Sequence, residues 1–201
     1  MLITGIKSRP VYDQLRPMAG GLRHVLVAQG SGGKAMLRLL GEMTEAQRLA
    51  TTLLYSTESF SGQNHLGSLR DYSVGELREF SSNQALLDAL SALLNQATMG
   101  TRLYLCGSES FIGMAMQVAN TFDLNRDEVL RENSGTLVRR IWCVHCDTYT
   151  ENVTQRLFKC PGCGVDLIVR DHYSRRLAAF QAVKADGEVP GELPEAEELD
   201  T

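Results

Sequence analysis

Four of the five cysteines fall into two Cys-x2-Cys pairs, Cys143-Val144-His145-Cys146 and Cys160-Pro161-Gly162-Cys163, with thirteen residues between them. Each such turn aims two thiolates at one point while its backbone N–H groups donate to sulfur, and Gly164 follows the second pair where the turn tends to need a left-handed backbone. Two facing pairs supply a tetrahedral four-sulfur site, the arrangement zinc favours. The spacing therefore predicts one zinc ion held by Cys143, Cys146, Cys160 and Cys163, with a rubredoxin-like iron centre and a redox dithiol as rivals. His145 reads as an exposed knuckle residue rather than a ligand. Four thiolates leave no open coordination position for water, so the metal's task is to fold a segment too small for a core of its own. The spacer, with Val153, Leu157 and Phe158, is expected to form a short hairpin joining the two knuckles.

A second candidate site needs only backbone groups. Gly30, Gly32 and Gly33 lie between the apolar run His24 to Ala28 and a helical pattern from Lys34 to Met43, where amides at a helix N-terminus can hold a pyrophosphate. A second turn, Cys106-Gly107-Ser108, leaves another apolar run at what should be the same C-terminal edge of a parallel sheet. Many glycine turns of this kind bind nothing, and the plain reading of Cys106 is a buried, inert thiol at a strand end.

Both turns need a sheet to carry them. His24 to Ala28, Thr51 to Tyr55 and Leu103 to Cys106 are short apolar runs of the kind buried on both faces, and Val129 to Arg131 and the stretch Leu69 to Glu79 can add strands. Between them lie an amphipathic helix capped by Ser82 or Asn83, with Leu86, Leu87, Leu90, Leu93 and Leu94 on one stripe, and a helix from Ser110 to Phe122. Ser56 to Ser68 reads as a loop. Strands alternating with helices predict an α/β fold, a doubly wound parallel sheet over residues 24–133 behind a lead-in segment 1–23. From residue 134 the pattern changes to short β segments around the cysteine pairs, and then to a C-terminal helix from about Tyr173 to Lys184, giving a β zinc-ribbon module over 134–185.

Charge divides the chain further. Of 24 acidic residues, seven (Asp186, Glu188, Glu192, Glu195, Glu197, Glu198, Asp200) fall in the segment 186–201, which has no Lys or Arg and is expected to be disordered on its own. The remainder is nearly neutral, with no electrostatic case for nucleic acid as a partner. No apolar run is long enough to span a bilayer or to serve as a secretory h-region, so no membrane role is expected and the cytoplasm is the default compartment. Paired cysteines in a reducing compartment fit a metal site better than a disulfide framework.

Arg102-Leu103-Tyr104-Leu105-Cys106-Gly107-Ser108-Glu109-Ser110-Phe111, with the helix before it and the strand ending Arg131-Glu132 after it, resembles the last βαβ unit of the pyridine-nucleotide domain of ferredoxin-NADP reductases. Val25 to Gly33 and Leu53 to Ser56 resemble that family's first glycine turn and second strand. The sequence departs from it in having Lys34-Ala35-Met36 where Thr-Pro is usual, and Ser108 where the Cys-Gly turn usually continues with proline. A flavin-binding barrel is not expected in the twenty or so residues ahead of the domain, so a complete flavoprotein reductase is not expected either. The second module narrows the match. Cys160-Pro161-Gly162-Cys163-Gly164 followed by Leu167 to Phe180, including His172-Tyr173-Ser174-Arg175-Arg176, resembles the zinc-ribbon end of DmmA-like subunits of bacterial dimethylamine monooxygenase. That resemblance implies a zinc-binding accessory subunit of a multi-subunit, NADPH- and O2-dependent N-demethylating oxygenase. Haem would be carried by one partner subunit, and flavin and an iron–sulfur centre by another. It also implies NADPH as a candidate ligand of Gly30, Gly32, Gly33, Cys106, Gly107 and Ser108. Arg175 and Arg176, beside Tyr173 and Phe180, are either a solvated helix face or a docking patch. The readings from other classes are a free-standing nucleotide-binding or regulatory module with a structural ribbon, and a nucleic-acid-binding ribbon that the near-neutral body argues against.

Overall fold

The computed structural model describes residues 8–136 and 138–199. The chain divides into two compact units, Tyr12–Thr136 and a second that joins residues up to Val11 with those after Thr136.

The first unit runs β1 (Arg23–Gln29), α1 (Gly32–Glu42), α2 (Glu45–Leu49), β2 (Thr51–Ser56), α3 (Leu66–Arg70), β3 (Glu76–Phe80), α4 (Asn83–Leu94), β4 (Thr101–Gly107), α5 (Glu109–Ala119) and β5 (Val129–Asn133). Its five strands are all parallel, in the order β3-β2-β1-β4-β5. The central strands are apolar without alternation because helices cover both faces. Val25, Val27, Leu103 and Leu105 pack against Leu86 and Leu90 of α4 and Phe111 of α5, while Leu26, Leu53 and Tyr104 meet Met36, Leu39 and Leu40 of α1 on the other face. A leucine fully withdrawn from water contributes about 1.5–3 kcal/mol, so these two layers hold the sheet. Ser82 caps α4 by accepting from the Ala85 N–H, and Ser108 caps α5 by accepting from Phe111. The short helices α2 and α3 are additions to the sequence reading. The first is set by a Thr44–Gln47 capping box, and the second begins inside the stretch expected to be loop.

The second unit contains β6 (Arg139–Cys143), β7 (Tyr149–Val153), β8 (Leu157–Lys159), β9 (Asp166–Ser174) and β10 (Ala179–Lys184), in the order β7-β6-β10-β9-β8. Three expectations are corrected here. The spacer does not form a hairpin of its own: β7 pairs with β6 and β8 with β9, so each cysteine pair is the turn of a separate hairpin. Tyr173 to Lys184 is not a helix but the end of β9, a turn and β10, with Phe180 opposite Tyr173 in an antiparallel pair. A short apolar stretch fits either period, and here the period of two wins because Phe180 and Ala182 both face the core while Ala178 closes the turn at φ 50°. Tyr173 and Phe180 are 4% and 1% exposed, and their rings meet edge to face at 5.1 Å, so they belong to the ribbon's core and not to a docking patch. Arg175 and Arg176 remain exposed in the turn. Finally, the acidic segment is not detached. Leu199 N–H donates to Thr154 O (2.7 Å), Arg156 N–H donates to Glu197 O (2.8 Å), and Leu199 is buried among the ribbon's apolar residues. One apolar side chain with a socket, plus backbone donors and acceptors on the 154–156 linker, offsets the ordering cost that the acidic composition suggested. Among the described residues no helix is long and apolar enough to cross a membrane.

Candidate metal centre and glycine turn

Cys143 ends β6 and Cys160 directly follows β8, and the partner of each lies in the following turn. The two knuckles have the same backbone pattern. Cys143 N–H donates to Thr148 O and Asp147 N–H to Cys143 O, just as Cys160 N–H donates to Val165 O and Gly164 N–H to Cys160 O. Asp147 (φ 61°) and Gly164 (φ 73°) occupy equivalent left-handed positions, so the conformational need seen at the glycine is met in the first knuckle by an aspartate.

The four sulfurs all lie within 4.8 Å of one another, a grouping able to hold a metal ion, and His145 stands outside it. The Cys143–Cys163 and Cys146–Cys160 Sγ separations are 3.9 and 3.6 Å. A tetrahedron with metal–sulfur bonds of about 2.3 Å has edges of about 3.8 Å, so the set fits a four-thiolate ion. Close approach of the knuckles depends on Gly162, where an added Cβ would stand 2.1 Å from Thr148 Oγ1 and 3.1 Å from Cys146 Sγ. The Thr148 hydroxyl, 3.2 Å from Cys146 Sγ, favours the thiolate and with the Thr148 backbone brings Cys146 down to about 6, whereas burial pushes Cys143 up to about 12. Metal uptake would displace thiol protons, so affinity would fall as pH falls.

The predicted nucleotide residues do come together at the C-terminal edge of the parallel sheet. A Cβ on Gly32 would sit 2.5 Å from Cys106 O and 2.9 Å from Gly107 N, so α1 starts in direct contact with the end of β4. Their surfaces, however, face protein. Gly30 (φ 47°) lies under Ser59, whose Cβ would be 2.3 Å from an added Cβ, and Gly33 lies under His65 at 2.6 Å. Tyr55 OH ties the covering loop down, donating to Gly30 O (2.7 Å) and accepting from His65 N–H (2.9 Å). Ser31 Oγ donates to Ser134 O, and Ser134 Oγ returns a bond to Ser31 O (3.1 Å). Gln29 Oε1 accepts from the Ser108 N–H and hydroxyl. The Gly33 and Lys34 amides donate to Gly30 and Ser31 carbonyls. In a dinucleotide turn one glycine must leave its face open to the pyrophosphate; here Gly30 faces Ser59, Gly32 faces the end of β4 and Gly33 faces His65. Cys106 is fully buried, and burial together with the Glu132 carboxylate drives its thiol far above the usual range. The sequence reading missed Gln29, Tyr55 and Ser134. A glutamine ending an otherwise apolar strand was the one available signal.

A parallel five-stranded sheet with a glycine turn, in one chain with a ribbon of two cysteine knuckles able to hold a metal ion, defines an α/β protein with a cysteine-ribbon module. Residues 4–129 match the N-terminal domain, and residues 140–183 the C-terminal domain, of the dimethylamine monooxygenase subunit DmmA-like proteins. The chain belongs to this family. It is 31% identical over 183 residues to the heme-dependent oxidative N-demethylase delta subunit of Ectopseudomonas mendocina (strain ymp), covering 91% of each chain. Among solved structures it overlays phthalate dioxygenase reductase with a TM-score of 0.45 at 13% identity, over 82% of this chain and 65% of that one. The siderophore-interacting protein SipS from Aeromonas hydrophila gives 0.43 at 12% identity, over 58% and 52%. The chain spans less than two thirds of either structure.

Proposed function

We propose that the chain is a zinc-binding accessory subunit of a multi-subunit dimethylamine monooxygenase, contributing to assembly of a complex whose haem, flavin and iron–sulfur groups reside on partner subunits. The observation that carries this reading is the family match across both modules, with a relative that is itself a subunit of a heme-dependent oxidative N-demethylase. Cys143, Cys146, Cys160 and Cys163 would hold the zinc. Bound there, it supplies cross-linking of two hairpins and no redox chemistry, since zinc has no accessible second oxidation state and four thiolates leave no open position. Electron entry through NADPH on this chain is the finer reading that the sequence offered. The filled glycine turn weighs against it and favours a scaffold role for the α/β unit.

Co-expression with the other subunits of the demethylase tests the proposal. The chain is expected to purify with a haem-carrying partner and with one zinc per chain by elemental analysis; iron with the visible absorption of a ferric thiolate centre would overturn the metal assignment. Calorimetry of the chain with NADPH, NADP and NADH is expected to show no binding. Saturable uptake in the micromolar range would restore nucleotide binding, as electron entry if the chain also purifies with partners and as the free-standing module if it does not.

A further inference from the structure

The ribbon unit holds a cleft of ≈ 530 Å3 beside the first knuckle. Its fixed wall is the outer face of the β9–β10 pair, where Ile168 lies opposite Val183, extended by Val144 of the knuckle. Val144 N–H donates to Ala182 O (3.2 Å), so the metal turn and this wall are one rigid body. Arg170, Lys184 and His145 put cationic or basic groups around the apolar strip. The opposite wall is the chain's own acidic segment, Gly187 to Pro194.

That second wall is loosely held. Residues 187–198 are all exposed, and Val189 and Leu193 keep 51% and 52% of their surface in solvent. Two half-buried side chains hold the segment only weakly. The segment is tethered at both ends, by the Ala185 N–H bond to Asp166 O and by Leu199 in the core, and once along its length, by Gly191 N–H donating to Asp186 Oδ2 (3.1 Å). Its sequence repeats one chemistry, Glu188-Val189-Pro190 and Glu192-Leu193-Pro194, a carboxylate next to an apolar side chain and a proline, and the two copies are joined by a turn at Gly191 (φ 88°) in which Glu192 N–H donates to Val189 O (3.1 Å). Against a wall of valine and isoleucine flanked by Arg170, and by Lys184 in its ion pair with Asp186 (3.1 Å), the complement is such an acidic and apolar pair.

We propose that this face is a docking site for an acidic segment of a partner subunit carrying an apolar residue beside a carboxylate. The chain's own Gly187–Pro194 strap is an internal stand-in that bows out on assembly while Leu199 stays seated. A short flexible tether gives the strap an effective concentration of about millimolar, which a partner segment bound with micromolar affinity displaces. The proposal rests on the accessory-subunit reading above and refines where the contact lies.

Two measurements on the full chain and its reconstituted complex test it. A benzophenone side chain at Val144 should crosslink to residues 187–194 in the isolated chain, and in the assembled complex to a partner peptide with the acidic and apolar pattern. Charge reversal at the wall, R170E, should weaken assembly at least tenfold while metal content and ribbon melting stay unchanged. If the crosslink remains internal after assembly, or falls on a second copy of this chain, or if the reversed variant assembles with unchanged affinity, the docking site is wrong and the accessory-subunit reading stands. If the unmodified chain assembles with no partner, both fall.

Discussion

Gly162 and Cys106 show how differently two residues of a candidate site can be legible. The cysteine spacing pointed to one four-thiol group, because few other arrangements put four thiols at hairpin distance, and the sulfurs stand within 4.8 Å of one another. Gly162 was only the filler of a Cys-Pro-x-Cys turn, yet it is the point where the knuckles touch. Gly162→Ala is expected to push Thr148 and Cys146 apart and lower zinc affinity at least tenfold, measured by competition with a chromophoric chelator; retention of affinity would show that the knuckles have room to shift. Cys106 lay in a turn whose residues suggested cofactor chemistry, but its thiol is sealed. Folding raises its affinity for a proton, so the stabilisation is complete below the unfolded thiol's usual value near 9 and is lost as pH rises through the higher folded value. Alkylation of Cys106 by iodoacetamide at pH 8 is therefore expected only after denaturation, and melting of the α/β unit should begin to fall at lower pH in the parent, from about pH 9, than in Cys106→Ala, where the buried Tyr55 and Tyr104 hydroxyls still titrate. Rapid labelling of the native chain would mean that the sheet edge opens.

At the scale of elements, the strands and helices of the α/β unit were readable because each carries a single unambiguous pattern: uninterrupted apolar runs for buried parallel strands, a leucine stripe and a serine cap for α4. The ribbon was harder. Leu177, Ala178, Phe180 and Val183 satisfy a helical stripe as well as a strand, and only the pairing of Phe180 with Tyr173, a contact the local pattern does not contain, decides between them. The same holds for the acidic segment, whose composition argues for disorder and whose single leucine argues for an anchor. Leu199 is 5% exposed, so Leu199→Ala should cost the ribbon about 2 kcal/mol, at the low end for a leucine truncation. Glu197→Gln, which touches only a partly exposed ion pair with Arg156, should cost less than about 1 kcal/mol. Equal losses from the two variants would mean that charge, and not the apolar socket, holds the end of the chain.

The whole molecule combines two units stabilised by different means. The α/β unit has two continuous apolar layers, whereas the second unit has one small cluster around Ile141, Leu167, Val169 and Phe180 and the four cysteines. A unit of that size depends on its staple, because apolar burial alone leaves it near the margin. Replacing Cys160 with serine, or removing metal with a strong chelator, should therefore melt the ribbon and leave the α/β unit folded. The expected record is two separate transitions, of which only one moves with zinc concentration, followed by near-ultraviolet circular dichroism of Trp142 in β6 for the ribbon and far-ultraviolet helix signal for the α/β unit. The scaffold reading adds a functional consequence. If the α/β unit positions partners and the ribbon docks one of them, the metal-free chain should lose the partner held by the ribbon while its helix content and melting in the α/β unit are retained. Loss of all secondary structure on chelation would instead make the two units one cooperative body, and the metal a requirement for the fold of the entire chain.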